Sequence, residues 1–310
     1  MKGNFLCIHG HFYQPPRENP WLEWVEPELS ALPFHDWNER ITRECYAPNA
    51  WARIHSPKLK IERLINNFSH ISFDMGPTLI SWIHQNHPHL YNKLLEADRE
   101  SKRLYEGHGT AMAQAYNHMI LPLADSKDKE TQIRWGKEDF KFRFGREPEG
   151  MWLPETAVDL ETLEIMSTEG IRFTILSPYQ AEKVRSLSGK ALWKDVSDGS
   201  IDITMPYRVV LPSGRSIDVL FYNKEISQSI AFGNALSSGE QILKEVTLCL
   251  FRSGRDNGIV TIATDGESYG HHFKFGDLAL AWMIEHAREF NIQIVSPGQY
   301  LEMFPPTYEV

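Results

Sequence analysis

The sequence is poor in cysteine and has no long apolar run. Its three cysteines, Cys7, Cys45 and Cys249, show no Cys-x-x-Cys spacing, so neither a disulfide framework nor a zinc ribbon is predicted. A sparse, odd set of thiols is typical of a reducing compartment. No apolar stretch approaches the roughly 18 residues that cross a bilayer, and the one at 4–8 is too short for a secretory signal. We therefore expect a cytoplasmic protein with no membrane partner.

Positive charge is also scarce, and it is not clustered. The chain has 32 lysines and arginines against 41 aspartates and glutamates, a net charge of -9. Nucleic acids and anionic membranes require basic clusters that neutralise phosphate groups, so they are not expected partners. A neutral ligand such as a sugar is compatible with this composition. The nine tryptophans could stack on sugar rings, although a tryptophan more commonly packs in a protein core.

Short apolar runs alternate with longer helical patterns, which predicts βαβ units and a mostly parallel sheet. We predict strands at 5–8, 70–73, 150–153, 173–176, 259–263 and 292–295. Helices are predicted at 58–68, 78–105, 129–144, 156–169, 239–251 and 277–290. With a further strand end within 107–122, this makes about seven strands and favours a closed or nearly closed barrel in one domain, 1–310.

Two segments depart from this alternation. Residues 200–222 predict a β-hairpin insertion that turns at Ser213-Gly214. Residues 15–56 are rich in proline and aromatic side chains but show no periodicity. A long connection of this kind is usually functional or disordered, and the aromatic content argues against disorder. We expect an ordered loop over the first strand that forms part of a substrate cleft.

Two carboxylate-bearing segments follow predicted strands. In 150–155 the strand ends at Pro154-Glu155, and Glu155 could be functional, cap the following helix or pair with an arginine. In 264–272 the strand ends at Asp265, and Glu267 and His271 follow between glycines. The alternative for this segment is an Asx-type turn with a solvated glutamate. Both segments are expected at the barrel mouth, where the carboxyl ends of the strands meet.

The amino-terminal segment 9–15 adds two imidazoles and an amide to the same rim. The first strand is expected to end at His9, and His11 and Gln14 follow it. These side chains could bind sugar hydroxyls, ligate a metal or lie in a solvated loop. Cleavage of a glycosidic bond requires two carboxyl groups on either side of that bond. Glu155 and Asp265 would provide this pair if the fold brings their strand ends together.

The ordered set of motifs resembles glycoside hydrolase family 57, which contains α-amylases, 4-α-glucanotransferases and branching enzymes. The motifs are His9-x-His11-x-x-Gln14-Pro15, Trp152-Leu153-Pro154-Glu155 and Asp265-Gly266-Glu267-Ser268-Tyr269-Gly270-His271-His272. The resemblance implies a distorted (β/α)7 barrel and a retaining double displacement on α-glucans through a covalent glycosyl-enzyme. No metal and no cofactor are implied.

The resemblance also implies roles for individual residues. Glu155 matches the nucleophile and Asp265 the general acid/base. The expected substrate-binding side chains are His9, His11, Gln14, His118, Trp152, Glu267 and His271, with His118 aligned through the segment 107–122. Family members usually carry a helical domain after the barrel, so such a domain, absent from these 310 residues, is an expected partner besides the α-glucan or oligosaccharide.

Two other functions remain open at this point. One is a metal-dependent polysaccharide deacetylase, because Thr264-Asp265-Gly266 is similar to the Asp-Asp-Gly motif of those enzymes, although paired aspartates and a His-x3-His pair are absent. The other is a catalytically silent barrel that binds glycans. Loss of activity on chelation would favour the first, and glucan binding without turnover the second.

Overall fold

The computed structural model describes residues 3–56, 58, 60–189 and 191–310. Among these residues the strands are β1 (Asn4–Phe12), β2 (Ala52–His55), β3 (Ile61–Ile65), β4 (Ser72–Met75), β5 (Ala113–Gln114), β6 (Met151–Trp152), β7 (Phe173–Leu176), β8 (Lys183–Ser186), β9 (Lys194–Asp195), β10 (Tyr207–Val210), β11 (Ser216–Phe221), β12 (Ile259–Asp265), β13 (Ile292–Ile294) and β14 (Tyr308–Glu309). The α-helices are α1 (Trp37–Ile41), α2 (Ala47–Ala50), α3 (Pro77–Asn86), α4 (Pro88–Leu104), α5 (Ser126–Phe144), α6 (Leu160–Thr168), α7 (Lys224–Ala231), α8 (Gly239–Ser253), α9 (Gly276–His286) and α10 (Pro297–Met303). None of these helices is long and apolar enough to cross a membrane.

Seven parallel strands form a ring in the order β12-β1-β4-β5-β6-β7-β11. The contacts β4-β5 and β6-β7 are single bridges, Phe73 to Ala111 and Gly150 to Phe173. Between the first and last strands of this order, Asn223 N donates to Thr261 O at 2.7 Å. The predicted distorted (β/α)7 barrel is therefore confirmed, and its distortion lies where β5 and β6 are only two residues long.

The side chains of β1 alternate between the barrel interior and the surrounding helices, as the two-residue period of a strand requires. Phe5 and Cys7 pack with Trp152 and Ala263 inside the ring, whereas the even-numbered side chains belong to the larger core cluster outside it. The strand is buried on both faces, as is usual for a parallel sheet covered by helices. The same alternation directs His9 and His11 into the barrel.

The predicted hairpin is present, and one of its two strands belongs to the barrel itself. β10 and β11 pair antiparallel around a turn at 211–215. β11 also pairs in parallel with β7, so this half of the predicted insertion is a barrel strand. β10 instead leads outward to β14, β8 and β9.

Several predicted boundaries are wrong for identifiable reasons. β1 runs on to Phe12 rather than ending near His9, because its two histidines are buried interior residues. The segment 58–68, predicted as a helix, instead contains the strand β3, in which Ile61 and Leu64 are exposed. Residue 59 of this segment lies outside the described part of the chain. The helix predicted at 78–105 is divided into α3 and α4 at Pro88, where the ring disfavours a helical conformation of His87.

Two further segments differ from expectation. The helix predicted from Thr156 begins at Leu160, and Asp159 is its N-cap, accepting from Thr162 N at 2.7 Å. The segment 15–56 is less irregular than predicted, because it contains α1, a π-helix at Thr42–Tyr46 and α2.

Helix α5 packs directly on β5 at Gly136. A Cβ atom at this position would lie 1.9 Å from the carbonyl oxygen of Gln114. Alanine normally favours a helix over glycine by about 1 kcal/mol, but here the backbone of the barrel would have to move. We expect Gly136→Ala to lower the free energy of unfolding by about 1 to 3 kcal/mol, measured by denaturant unfolding. Lys127→Ala, an exposed change in the same helix, is the control, and a more stable Gly136→Ala variant would contradict this packing.

Candidate active site

A stack of aromatic rings runs from the barrel interior to its mouth. The indole of Trp152 lies against His9 and His11, with ring centroids 4.7 and 5.4 Å apart. His11 in turn stacks on His118 at 5.0 Å, and Tyr13 covers His118 at 3.8 Å. The stack joins β1, the end of β6 and the loop after β5. Four residues predicted for the site or its motifs thus lie together with Tyr13.

The carboxylate of Asp74, at the C-terminal end of β4, connects the two histidines of β1. Its Oδ1 lies 3.0 Å from His9 Nε2 and its Oδ2 lies 2.7 Å from His11 Nδ1. Asp74 and His9 are fully buried, and His11 is 7% exposed. His9 therefore supports His11 through Asp74 from below, and only the outer imidazole of the pair approaches the cleft.

Electrostatics shift the pKa values of the two imidazoles in contact in opposite directions. Burial disfavours the charged form of His11, but the charge and hydrogen bond of Asp74 outweigh burial and raise its pKa, with Glu267 and Asp265 adding to the effect. Burial and the neighbouring charge of His11 lower the pKa of His118 to about 4. Their Nε2 atoms are 2.9 Å apart. In its protonated form His11 can donate to both Asp74 and neutral His118.

Glu267 is a buried carboxyl group rather than the solvated one of the Asx-turn alternative. It is 5% exposed, and its Oε1 accepts from Tyr46 Oη at 2.6 Å and from Tyr13 N at 3.3 Å. Burial raises its pKa to about 7, partly offset by the hydrogen bond from Tyr46. Glu267 can therefore hold or release a proton near neutral pH.

Asp265 is the last residue of β12 and lies level with His11 of β1. Its side chain is exposed and does not cap the short 3-10 turn that follows it. Its charge acts on His11, His118, Glu267 and His272. Asp265 thus lies at the mouth, close enough to His11 and His118 for its charge to act on them.

Glu155 lies three residues beyond Trp152 in a strained turn. Its φ is 56° and that of Thr156 is 52°, a left-handed conformation that costs about 1 to 2 kcal/mol for an L-residue and is unusual for a β-branched one. Thr156 N donates to Leu153 O at 2.8 Å, and Gln180 Nε2 donates to Thr156 O. Glu155 is exposed, and no hydrogen bond or ion pair of its carboxylate occurs among the described residues. Because Asp159 caps α6, the helix-cap alternative for Glu155 is wrong.

Gln14 and His271 lie at the edge of this site. Gln14 Oε1 accepts from Arg17 Nη2 at 3.0 Å. His271 Nδ1 is 2.5 Å from Glu44 Oε2, and its ring meets Trp37 edge-on at 5.8 Å. Both residues are tied to the segment 15–56, which therefore forms one wall of the mouth.

Sequence reasoning missed three residues of this site, namely Tyr13, Tyr46 and Asp74. Asp74 follows the predicted strand 70–73 directly. Glu155 and Asp265 are candidates because each is a carboxylate at the end of a predicted strand, and Asp74 meets the same criterion. Tyr13 lies inside the motif His9-x-His11-x-x-Gln14-Pro15, at a position that the motif leaves unspecified. Tyr46 gave no signal, because its segment showed no period.

The ring of parallel strands with carboxylates and imidazoles at the carboxyl ends of its strands defines a β/α-barrel protein with a polar cleft at the mouth. Residues 6–310 match the family model described as Glycosyl hydrolase family 57. The chain belongs to that family. Among the described residues, no group of three or more His, Cys, Asp or Glu side chains is arranged to hold a metal ion.

Solved structures share this fold. The chain is similar to a 4-α-glucanotransferase from Thermococcus litoralis, with a TM-score of 0.71, 15% identity and coverage of 99% of this chain and 41% of the other. It is also similar to a branching enzyme from Pyrococcus horikoshii, with a TM-score of 0.65, 17% identity and coverage of 97% and 70%. Alpha-amylase 1 of Dictyoglomus thermophilum is 28% identical over 99 residues, which are 32% of this chain and 13% of the amylase. The chain thus spans less than half the length of the amylase and the glucanotransferase.

The buried ionic contact of Asp74 should stabilise the fold. Asparagine has one acceptor oxygen and no charge, so Asp74→Asn would leave one imidazole without its partner. We expect the free energy of unfolding at neutral pH to fall by about 3 to 5 kcal/mol, measured in denaturant. Glu240→Gln, which breaks the exposed pair with Lys244, should change it by about 0.5 kcal/mol or less. Equal small effects of both substitutions would contradict the importance of Asp74.

Glu267 should make the free energy of unfolding fall as pH rises. Its folded pKa of about 7 exceeds its ordinary value of 4.5. The stability that the protonated group contributes is therefore fully present below about pH 4.5 and is lost as pH rises to about 7. Above that pH the free energy of unfolding no longer changes through this group. The shift corresponds to about 3 kcal/mol. We expect Glu267→Gln, which keeps an acceptor for Tyr46, to gain about that much stability relative to wild type between pH 4 and pH 8. A difference independent of pH in denaturant unfolding would refute this.

Proposed function

We propose that this chain is a retaining glycosidase or transglycosylase that acts on α-glucans, with Glu155 as nucleophile and Asp265 as general acid/base. The observation that carries the proposal is the contrast among the carboxyl groups of the barrel mouth. Glu155 and Asp265 are exposed and have no structural partner among the described residues, whereas Asp74 and Glu267 are buried and bonded. The reaction needs two carboxyl groups on either side of the scissile bond, and backbone strain such as that at Glu155 is frequent at active sites.

The two carboxylates are connected through β1. Glu155 follows the strand β6, whose Trp152 stacks on His11, and His11 lies level with Asp265. These contacts support a shared mouth for both carboxylates, although they are far apart in sequence. In the first step Asp265 donates its proton to the glycosidic oxygen as Glu155 attacks the anomeric carbon, which forms a glycosyl-enzyme ester and releases the shortened sugar.

In the second step Asp265, now a carboxylate, takes a proton from water or from a hydroxyl group of an acceptor sugar. The oxygen so activated attacks the anomeric carbon and releases Glu155. Water yields hydrolysis, and a sugar acceptor yields transfer or branching. The configuration of the anomeric carbon is retained because it is inverted twice.

The polar groups around the mouth support a sugar as the substrate. His11 and the neighbouring His118 present ring atoms to the cleft, and Tyr13 provides a flat apolar face. Gln114, level with Trp152 of β6, is buried, and neither amide atom has a partner among the described residues. Buried amides are normally hydrogen-bonded, and a sugar hydroxyl is the kind of group that would satisfy this one. The activities named for the amylase, the glucanotransferase and the branching enzyme favour α-glucans.

The proposal predicts that Glu155→Ala abolishes turnover of maltooligosaccharides, with a loss of at least about a thousandfold in kcat. Sodium azide should restore part of the activity by replacing the carboxylate nucleophile, with a β-configured glycosyl azide as the product. Glu240→Ala, an exposed glutamate remote from the mouth, is the control. Products are followed by chromatography, in which shorter, longer or branched chains separate hydrolysis from transfer.

Two outcomes would contradict the proposal. Unchanged turnover in Glu155→Ala would remove the nucleophile from this residue. Glucan binding by the wild-type chain without any product would identify a glycan-binding barrel instead.

A further inference from the structure

The loop that follows Asp265 is held by a π-helix at Thr42–Tyr46. Such helices are rare and frequently occur at functional sites, because the wider turn redirects the side chains. Here three consecutive residues of the π-helix, 44–46, contact the loop that follows Asp265. Tyr46 Oη donates to Glu267 Oε1 at 2.6 Å, and Cys45 Sγ lies 3.4 Å from Gly266 O. Glu44 completes the set through His271.

The backbones of the two segments also touch. Asn49 in α2 donates through Nδ2 to Tyr269 O at 2.8 Å. Gly270 has a φ of 156°, and a Cβ atom there would lie 2.4 Å from Glu44 O. Only glycine allows this approach. The segment 266–271, which directly follows Asp265, is therefore fixed along its length by the π-helix and the residues next to it.

We propose that Tyr46 is a positioning residue for the general acid/base, because its hydroxyl group holds the buried carboxyl of Glu267 and thereby fixes the loop that carries Asp265. The inference rests on the proposed role of Asp265. Tyr46 does not touch the reacting atoms. It is fully buried, and it acts through Glu267.

Several groups face the carboxyl of Glu267 and set its charge. Tyr46 and Cys45 approach from the π-helix. His11 approaches from β1, and the residue after that strand, Tyr13, contributes its backbone N–H. Asp265 approaches from the end of β12. Tyr46 and His11 favour the carboxylate, whereas burial and Asp265 favour the neutral acid. Loss of the Tyr46 hydroxyl should thus raise the pKa of Glu267 above its present value of about 7 and loosen the loop.

The test is Tyr46→Phe in the full chain, assayed on maltooligosaccharides. Misplacement of Asp265 should lower kcat by about tenfold to a hundredfold and leave KM nearly unchanged, and the pH profile of kcat should move. The matched control is Tyr207→Phe, since Tyr207 is equally buried and its hydroxyl donates to Asp202 O at 2.8 Å outside the barrel mouth. A purely structural role would make the two variants alike, with similar losses of stability and no change in kcat or its pH profile, and would overturn the proposal.

A second measurement separates this inference from the proposed function. The δ-carbon of Glu267 is titrated by NMR in 13C-glutamate-labelled wild type and Tyr46→Phe, and Glu267→Gln assigns the signal. We expect the midpoint to rise in Tyr46→Phe and to stay unchanged in Tyr207→Phe. An unchanged midpoint in Tyr46→Phe would overturn the inference even if Glu155→Ala is inactive. An inactive wild type would overturn the proposed function, and the titration would still show whether Tyr46 controls Glu267.

Discussion

The organisation of the barrel mouth depends on one buried negative charge. Asp74 is completely enclosed, and an isolated carboxylate in such a place would be strongly unfavourable. Two imidazoles of β1 satisfy it, which requires β4 and β1 to pair in the register that sets His11 beside Asp74. The same contact fixes which nitrogen of His11 points outward, as a hydrogen-bonded partner usually does for histidine. The rings that stack above it inherit their orientation from this contact.

The mouth contains carboxyl groups of two kinds, and burial distinguishes them. Asp74 stays ionised because histidines donate to it, and Glu267 holds its proton to near neutral pH because burial outweighs the hydrogen bond of Tyr46. Glu155 and Asp265 remain exposed at the end of their strands. Two of the four carboxyl groups are thus buried in the fold, and the other two are exposed at the mouth. Different environments commonly give the carboxyl groups of one fold different tasks.

The sequence predicted the barrel well because its strongest signals are local. The apolar runs that became β7 and β12 end where polar motifs begin, and the criterion of a carboxylate at a strand end placed Asp265 correctly. It failed for β1, where buried histidines resembled the start of a loop, and for 58–68, where the spacing of Ile61 and Leu64 fits a helix although both are exposed in β3. Asp74, Tyr13 and Tyr46 acquire their roles only through contacts distant in sequence. No periodicity encodes such contacts, so the π-helix and its partners could not be found from the sequence alone.

The side of the barrel that carries Glu155 has short strands and few backbone pairs. β5 and β6 share only two residue pairs, and single bridges join them to their neighbours. The position of Glu155 therefore depends on side-chain packing, above all on the contact of Trp152 with the two imidazoles that Asp74 holds. On the opposite side β1 and β12 pair over seven residues up to Asp265. One carboxylate is thus placed by a continuous backbone ladder and the other by a stack of rings, and both depend on the same histidines of β1.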